Sequence, residues 1–244
     1  EGTGTYGAEL CRQLNAHGFC VVEVDRADRK TRRFQGKSDP IDAYAAARAA
    51  MSGRASAIPK ARDGNVEMIR VLRVARNSAI KARVAAIVQL KATIVSAPAG
   101  LREGLAGIDK AALIDRCARF RVARTGDGHL DSTTSATKAA LKTLARRVRS
   151  LDDEISGLDS DLGYLVEATA PTLVSLFGVG TDVAGQLLVT AGDNPERLKS
   201  SAAFAHLCGV APVPASSGRT TRHRLNRGGD RHANAALYRI TLCR

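Results

Sequence analysis

At 244 residues and 44% hydrophobic content, the chain is long enough for a packed core and too apolar to be disordered throughout. Thirty-seven Lys and Arg against 24 Asp and Glu leave a net +13, which favours a polyanionic partner through long-range attraction. With no Trp, five Phe and four Tyr it lacks the rings of a single-strand binder built on stacking, and its five Cys without C-x-x-C spacing imply reduced thiols rather than structural zinc.

In chain order, GAELCRQLNAHG over residues 7–18 predicts a short helix ended by Gly18, and the β-branched run FCVVEVD predicts a strand over residues 19–24. A basic connection follows, with Arg26, Arg29, Lys30, Arg32, Arg33 and Lys37. Then SDPIDAYAAARAAMSG carries a helix start signal, with Ser38 or Asp39 as cap and Pro40 in the first turn, and ends at Gly53. Helix, strand and helix make a piece of an α/β domain over residues 1–58, although a single strand makes no sheet.

Residues 59–168 read as a long helical segment. Its first helix, 65–94, has a ragged apolar stripe of Ile69, Leu72, Ile80, Val84, Ile87 and Ile94. The second, 136–168, places Leu141, Leu144, Val148, Leu151, Ile155, Leu158, Leu162 and Leu165 at alternating spacings of three and four, the pattern of a coiled coil. The partner is either the first helix, folded back as a hairpin, or the same helix of a second subunit; a helix lying on its own domain is the plainer alternative.

The remainder, 169–244, predicts a mostly α domain. Two helical patches meet at Gly178-Val179-Gly180, which is either a helix-hairpin-helix-like phosphate binder or a simple helix corner. From Arg197 to Arg244 there are nine Lys or Arg and one Asp. Within that stretch Ser216 and Ser217 sit in a loop followed by Arg219, Arg222, Arg224, Arg227 and Arg231; helix resumes near His232, and no strand is expected. His206, in the apolar run FAHLCGV, is expected to be packed in the core. No apolar run of 18 residues occurs, so no membrane span is expected and a cytoplasmic protein is.

Two constellations carry chemistry. Asp39 and Asp42, three apart at a helix start, share a face, and Glu1 lies at the other end of a helix–strand unit that could fold back onto them. Converging carboxylates of this kind hold hard divalent cations, typically Mg²⁺, while two aspartates in a first turn also serve simply as caps. The Ser216-Ser217-Gly218 loop offers a nucleophile beside arginines suited to a phosphoryl centre, or else a polar turn next to a basic face.

Taken in order, EGTGTYG, GKSDPIDA, the long helices, FGVGTDVA, GDNPERLKSSAAFAHLCGVAPVPASSG and NRGGDRHANAALYR resemble bacterial insertion-sequence transposases of the DEDD-plus-serine type, the family guided by a structured bridge RNA. The resemblance covers essentially the whole chain. It implies a partial RuvC-like (RNase H-like) domain in which Glu1, Asp39 and Asp42 match the second, third and fourth acids of an Mg²⁺ site. It places the catalytic serine at Ser217, with Ser216 as the alternate, and implies double-stranded DNA and a guide RNA as partners. DNA contacts fall on Arg219, Arg222, Arg224, Arg227, Arg231, Gly178, Gly180 and Lys37, and the 141–165 heptad supports a homo-oligomer. The strand expected to carry the first acid is missing, as is helical material beyond ALYR, so a chain truncated at both ends and inactive as it stands is expected. The rival readings are a non-catalytic nucleic-acid-binding coiled-coil protein and a Holliday-junction-resolvase-like nuclease.

Overall fold

A computed structural model describes residues 4, 6–24, 38–216 and 218–244; Glu1, Lys37 and Ser217, to which the sequence assigns roles, lie outside these residues. The described chain is mostly helical and divides into two compact units, one formed by residues 1–70 with 165–244 and the other by residues 71–164.

In the first unit, α1 (Ala8–Ala16) ends where Gly18 takes a φ of +80°, a left-handed value that glycine adopts without strain. The strand expected over 19–24 does not form: residues 19–22 have no ladder, and a single antiparallel bridge joins Glu23 to Ala57, with the Glu23 N–H donating to the Ala57 carbonyl at 2.7 Å. A β-branched run makes a strand only when a neighbouring strand takes its hydrogen bonds, and the described residues supply just this one bridge. Helix α2 (Asp39–Met51) starts as expected, with Ser38 extended at the cap position and Pro40 in the first turn.

Helices α3 (Asn65–Val95) and α6 (Thr133–Thr169) supply the long elements of the second unit. Two short helices, α4 (Ala99–Leu105) and α5 (Lys110–Ala118), lie between them in sequence. Ion pairs Arg76–Asp159 and Arg83–Asp152 join α3 to α6, so the two helices run antiparallel here. Their shared core holds Ala86, Leu90, Leu141, Ala145 and Val148, capped by Leu105, Leu113, Ile114 and Cys117 from α4 and α5.

The contact line is rotated from the leucine stripe. Leu141, Val148 and Leu162 are buried, the fully buried position between the first two is Ala145 with Leu144 only partly buried beside it, and Asp152 and Asp159 continue the line. On α3, Val84 is exposed, while Ala79, Ala86 and Leu90 are buried. Small alanines allow the backbones to approach, and the paired charges substitute for apolar residues where the line meets solvent.

The rest of the first unit is built on α8 (Thr181–Ala191), preceded by the single turn α7 (Pro171–Val174). Val183, Ala184, Gly185, Gln186 and Leu187 are all buried, and α8 packs on α10 (Arg231–Cys243), which buries Ala233 and Ala236. Between them come a 3₁₀ turn (Pro195–Arg197), α9 (Ser201–Leu207) and a hairpin of β1 (Val213–Pro214) and β2 (His223–Arg224). That hairpin corrects the expectation of no strand: its registry pairs Val213 with Arg224 and Pro214 with His223. Each strand has two residues, too short to show any alternation.

The GDNPER run ties residues 58–66 to the end of α8. The Arg197 guanidinium donates to the Ile58 carbonyl at 3.0 Å and to that of Ala191 at 3.1 Å, and the Asn194 amide donates to Pro59 at 3.0 Å. Asp193 accepts from the Val66 N–H at 2.9 Å, capping α3 from 127 residues away. Gly64 is required there, because a Cβ would stand 2.5 Å from the Asp193 carboxylate. Lys60 donates to the Val189 carbonyl at 2.5 Å. Its pKa falls to about 8, first through burial and then through the nearby Arg197 and Arg62 charges.

Candidate nucleic-acid interface

Beyond the paired strands the hairpin narrows to a loop. The Ala215 N–H donates to the Arg222 carbonyl at 2.9 Å. The Ser216 hydroxyl accepts from the Arg222 N–H at 3.0 Å and donates to the Arg222 carbonyl at 3.3 Å. Ser216 thus closes the loop with its side chain, and the turn follows at Gly218, whose φ is +64°. Arg219, Arg222, Arg224, Arg227 and Arg231 are all exposed. None of the five guanidinium groups has a hydrogen-bond or ionic partner among the described residues.

The foot of this hairpin is fixed by the NRGGD run. Asn226 donates to the His206 carbonyl at 3.1 Å and accepts from the Gly228 N–H at 2.9 Å. His206 itself is exposed, contrary to expectation; the fold uses its carbonyl, at the end of α9, rather than its ring. Gly229 passes so close to Gly209 that a Cβ on it would lie 2.2 Å from the Gly209 nitrogen. Gly229 therefore has no room for a side chain, and the facing Gly209 takes a φ of +70°, which favours glycine.

Asp230 then starts α10. Its carboxylate accepts from the His232 N–H at 2.8 Å, the Ala233 N–H at 3.2 Å and the buried Thr190 hydroxyl of α8 at 2.7 Å, while its own N–H donates to Leu207 at 2.8 Å. Burial opposes the charge, but these hydrogen bonds outweigh it and hold the carboxyl below the usual range. The same burial, with the Asp230 charge, pushes the Cys208 thiol up. A cleft of about 480 Å³ opens beside this foot, lined by Gly209, Leu225, Asn226, Arg227, Arg231 and Asn234. Two guanidinium groups with side-chain amides around an open cleft suit a phosphodiester, which accepts forked hydrogen bonds.

Asp39 and Asp42 occupy the first turn of α2, Asp39 exposed and Asp42 half-buried. Among the described residues no third carboxylate, imidazole or thiol joins them in a group able to hold a metal ion. Gly178 has a φ of +81°, and a Cβ there would meet Cys243 at 3.3 Å and the Ile240 carbonyl at 3.4 Å, so its smallness serves packing under α10. Gly180 is the cap residue of α8, whose first turn carries Asp182, paired with Arg239 at 2.8 Å. That carboxylate already answers the positive end of the helix, which weakens the case for phosphate there.

Thr190, Asn226, Gly229 and Asp230 position the interface and were not singled out from the sequence. Gly-Gly-Asp ahead of a helical run carries the signal for the last two, a close approach followed by an N-cap.

Residues 170–244 match the profile of the transposase IS116/IS110/IS902 family, and residues 1–97 match that of the DEDD-type IS110 transposases. The chain is also 32% identical, over 109 residues, to the insertion element IS110 uncharacterized 43.6 kDa protein of Streptomyces coelicolor. That similarity covers 43% of this chain and 26% of the relative, so the chain spans about a quarter of the curated protein it matches. Both ends of the sequence are therefore similar to IS110-family transposases.

Proposed function

We propose that this protein, with IS110-type transposase sequence at both ends, cuts and rejoins double-stranded DNA in the transposition of an insertion sequence. The observation that carries the reading is the hairpin loop in which Ser216 and Gly218 stand among arginines that have no partner within the described residues. Ser216 spends its hydroxyl on closing that loop, which favours Ser217 as the nucleophile. In the step proposed, the Ser217 oxygen bonds to phosphorus as the P–O bond to the bridging oxygen of one DNA strand breaks; the serine proton passes to solvent or to His223, and the leaving oxygen takes up a proton from the same source to depart as a hydroxyl. Arginines neutralise the charge gathering on the phosphoryl oxygens. Asp230, the one acid between Arg197 and Arg244, is taken up in capping α10 and so does not oppose the anion.

Asp39 and Asp42 are hard oxygen donors of the sort Mg²⁺ takes, and together with Glu1 they would hold it in a RuvC-like site. The metal would act as a Lewis acid at phosphorus. A guide RNA and a second copy of the chain complete the proposal. Val71, Val74, Val84 and Val88 of α3 are 51%, 59%, 53% and 60% exposed, apolar side chains that another copy would cover.

The test is a covalent adduct. The protein is incubated with DNA carrying the ends of its insertion element, denatured, and examined for protein bound to DNA. Ser217→Ala should abolish the adduct and Ser216→Ala should only weaken it. An adduct that persists without Ser217 would refute the nucleophile.

A further inference from the structure

The unit formed by residues 71–164 separates its charge along its length. Next to the ion pairs Arg76–Asp159 and Arg83–Asp152, the stretch 152–164 has five Asp or Glu and no Lys or Arg. Past those pairs, residues 84–151 hold twelve Lys or Arg against five Asp or Glu. Three of the five acids are occupied locally: Asp109 caps α5 through the Ala111 N–H at 2.9 Å, Asp115 pairs with Arg119 at 3.1 Å, and Asp131 accepts from the Ser132 hydroxyl at 2.9 Å.

Helix α6 shows the asymmetry most clearly. Its only charges from Thr133 to Leu151 are Lys138, Lys142, Arg146, Arg147 and Arg149, and those from Asp152 onward are all acidic. Cations toward the N-terminus and anions toward the C-terminus are opposite to what the helix dipole favours, so helix stability does not account for the order. Arg116, Arg121 and Arg147 are exposed and have no partner among the described residues. Arg116, Arg119 and Arg121 border an open recess of about 560 Å³ with Ala112, Asp115 and Phe120. The Phe120 ring packs on the core beside the buried Cys117 and Ala118, which holds these arginines on a fixed scaffold.

We infer that this basic end of the helical unit is a second surface for the backbone of duplex DNA, separate in sequence from the arginine loop of the C-terminal domain. Cations on a rigid surface position a duplex through its phosphates without reading its bases. Between 84 and 151 the rings are the half-buried Phe120 and the exposed His129, too few for a platform on which successive unpaired bases stack. The inference does not depend on the serine chemistry, and the adduct assay and the binding assay can fail separately.

The experiment measures binding of a random-sequence DNA duplex by fluorescence anisotropy across a salt series. The background is the full chain with Arg219, Arg222 and Arg224 changed to Gln, which isolates what the loop does not contribute. In that background Arg116→Glu, Arg121→Glu and Arg147→Glu together should weaken binding at least about tenfold and lower the salt slope by about 2.7, at about 0.9 per lost phosphate contact. Since none of the three touches a described partner, circular dichroism should be unchanged, and lysine replacements should restore affinity. Unaltered duplex binding by the glutamate variant, no restoration by lysine, or preference for single-stranded DNA or duplex RNA over duplex DNA would overturn the inference.

Discussion

Replacing Asp230 with Ala should loosen the packing of α10 on α8 without touching any group proposed to meet DNA. The carboxylate does two jobs, receiving the first N–H groups of α10 and the hydroxyl of Thr190, which is only 2% exposed. Loss of an N-cap costs about 0.5–2 kcal/mol, and stranding a buried hydroxyl costs about 1–3, so D230A should destabilise the first unit by about 2–4 kcal/mol. D230N retains a good cap and an acceptor for Thr190 and loses only the charge, so about 1 kcal/mol is expected.

The readout is hydrogen exchange of peptides from α8 and α10, because two compact units need not unfold together. The pH dependence gives an independent check. Since the folded pKa lies below the unfolded value, the stabilisation is complete above the ordinary aspartate range and is lost as pH falls through the folded value. The gap between parent and D230N should therefore close on acidification. Protection of α8 and α10 in D230A within about 0.5 kcal/mol of the parent would refute the coupling.

Gly229→Ala and Gly228→Ala form a matched pair. A Cβ at Gly229 would stand 2.3 Å from the Gly209 Cα, backbone on backbone, whereas one at Gly228 would meet only the Asn226 oxygen at 3.5 Å. Urea unfolding should show a loss of about 3 kcal/mol or more for the first and under about 1 for the second; equal effects would mean that the two loops are not in contact. Lys60 sets a prediction at the alkaline end. Its folded pKa of about 8 lies below the ordinary lysine value of 10.5, so between these pH values the unfolded chain holds a proton that the folded chain has shed. Rising pH over that window should stabilise the parent relative to K60M, by at most about 1.4 kcal/mol per pH unit and less for a partly solvated ammonium. A constant difference between the two across the window would show that Lys60 is not desolvated.

Helices with strong local signals were legible: α2 from Ser38 and Pro40, α6 from its leucines, and α10 from the run after Asp230. The rotation of the α3–α6 contact was not, because the line contains Arg76, Arg83, Asp152 and Asp159, charges whose place in a packed line shows only once each finds its partner. The strand expected over 19–24 failed for the converse reason, since its local propensity was right and its neighbour among the described residues was a single bridge. Helices α4 and α5 fall inside a stretch read as one long helical segment, so their own starts and ends were not separated from it. At the interface the arginines were visible as a run, while their support from Thr190, Asn226 and Gly229 spans tens of residues and leaves no local pattern.

The net charge of +13 likewise gains a location only when cations are sorted by what they already hold. In the C-terminal domain Arg197 serves the Ile58 and Ala191 carbonyls, Arg239 serves Asp182, and Arg244 lies 3.4 Å from the Phe177 carbonyl. For such a group to grip a phosphate it must first give up those bonds and leave carbonyls short of a donor, which offsets much of the gain. Arg219, Arg222, Arg224, Arg227 and Arg231 give up only water. Salt-sensitive attraction is therefore concentrated on the stretch where the fold has left its guanidinium groups unengaged, and the Asn226–Asp230 scaffold beneath fixes the backbone from which they reach.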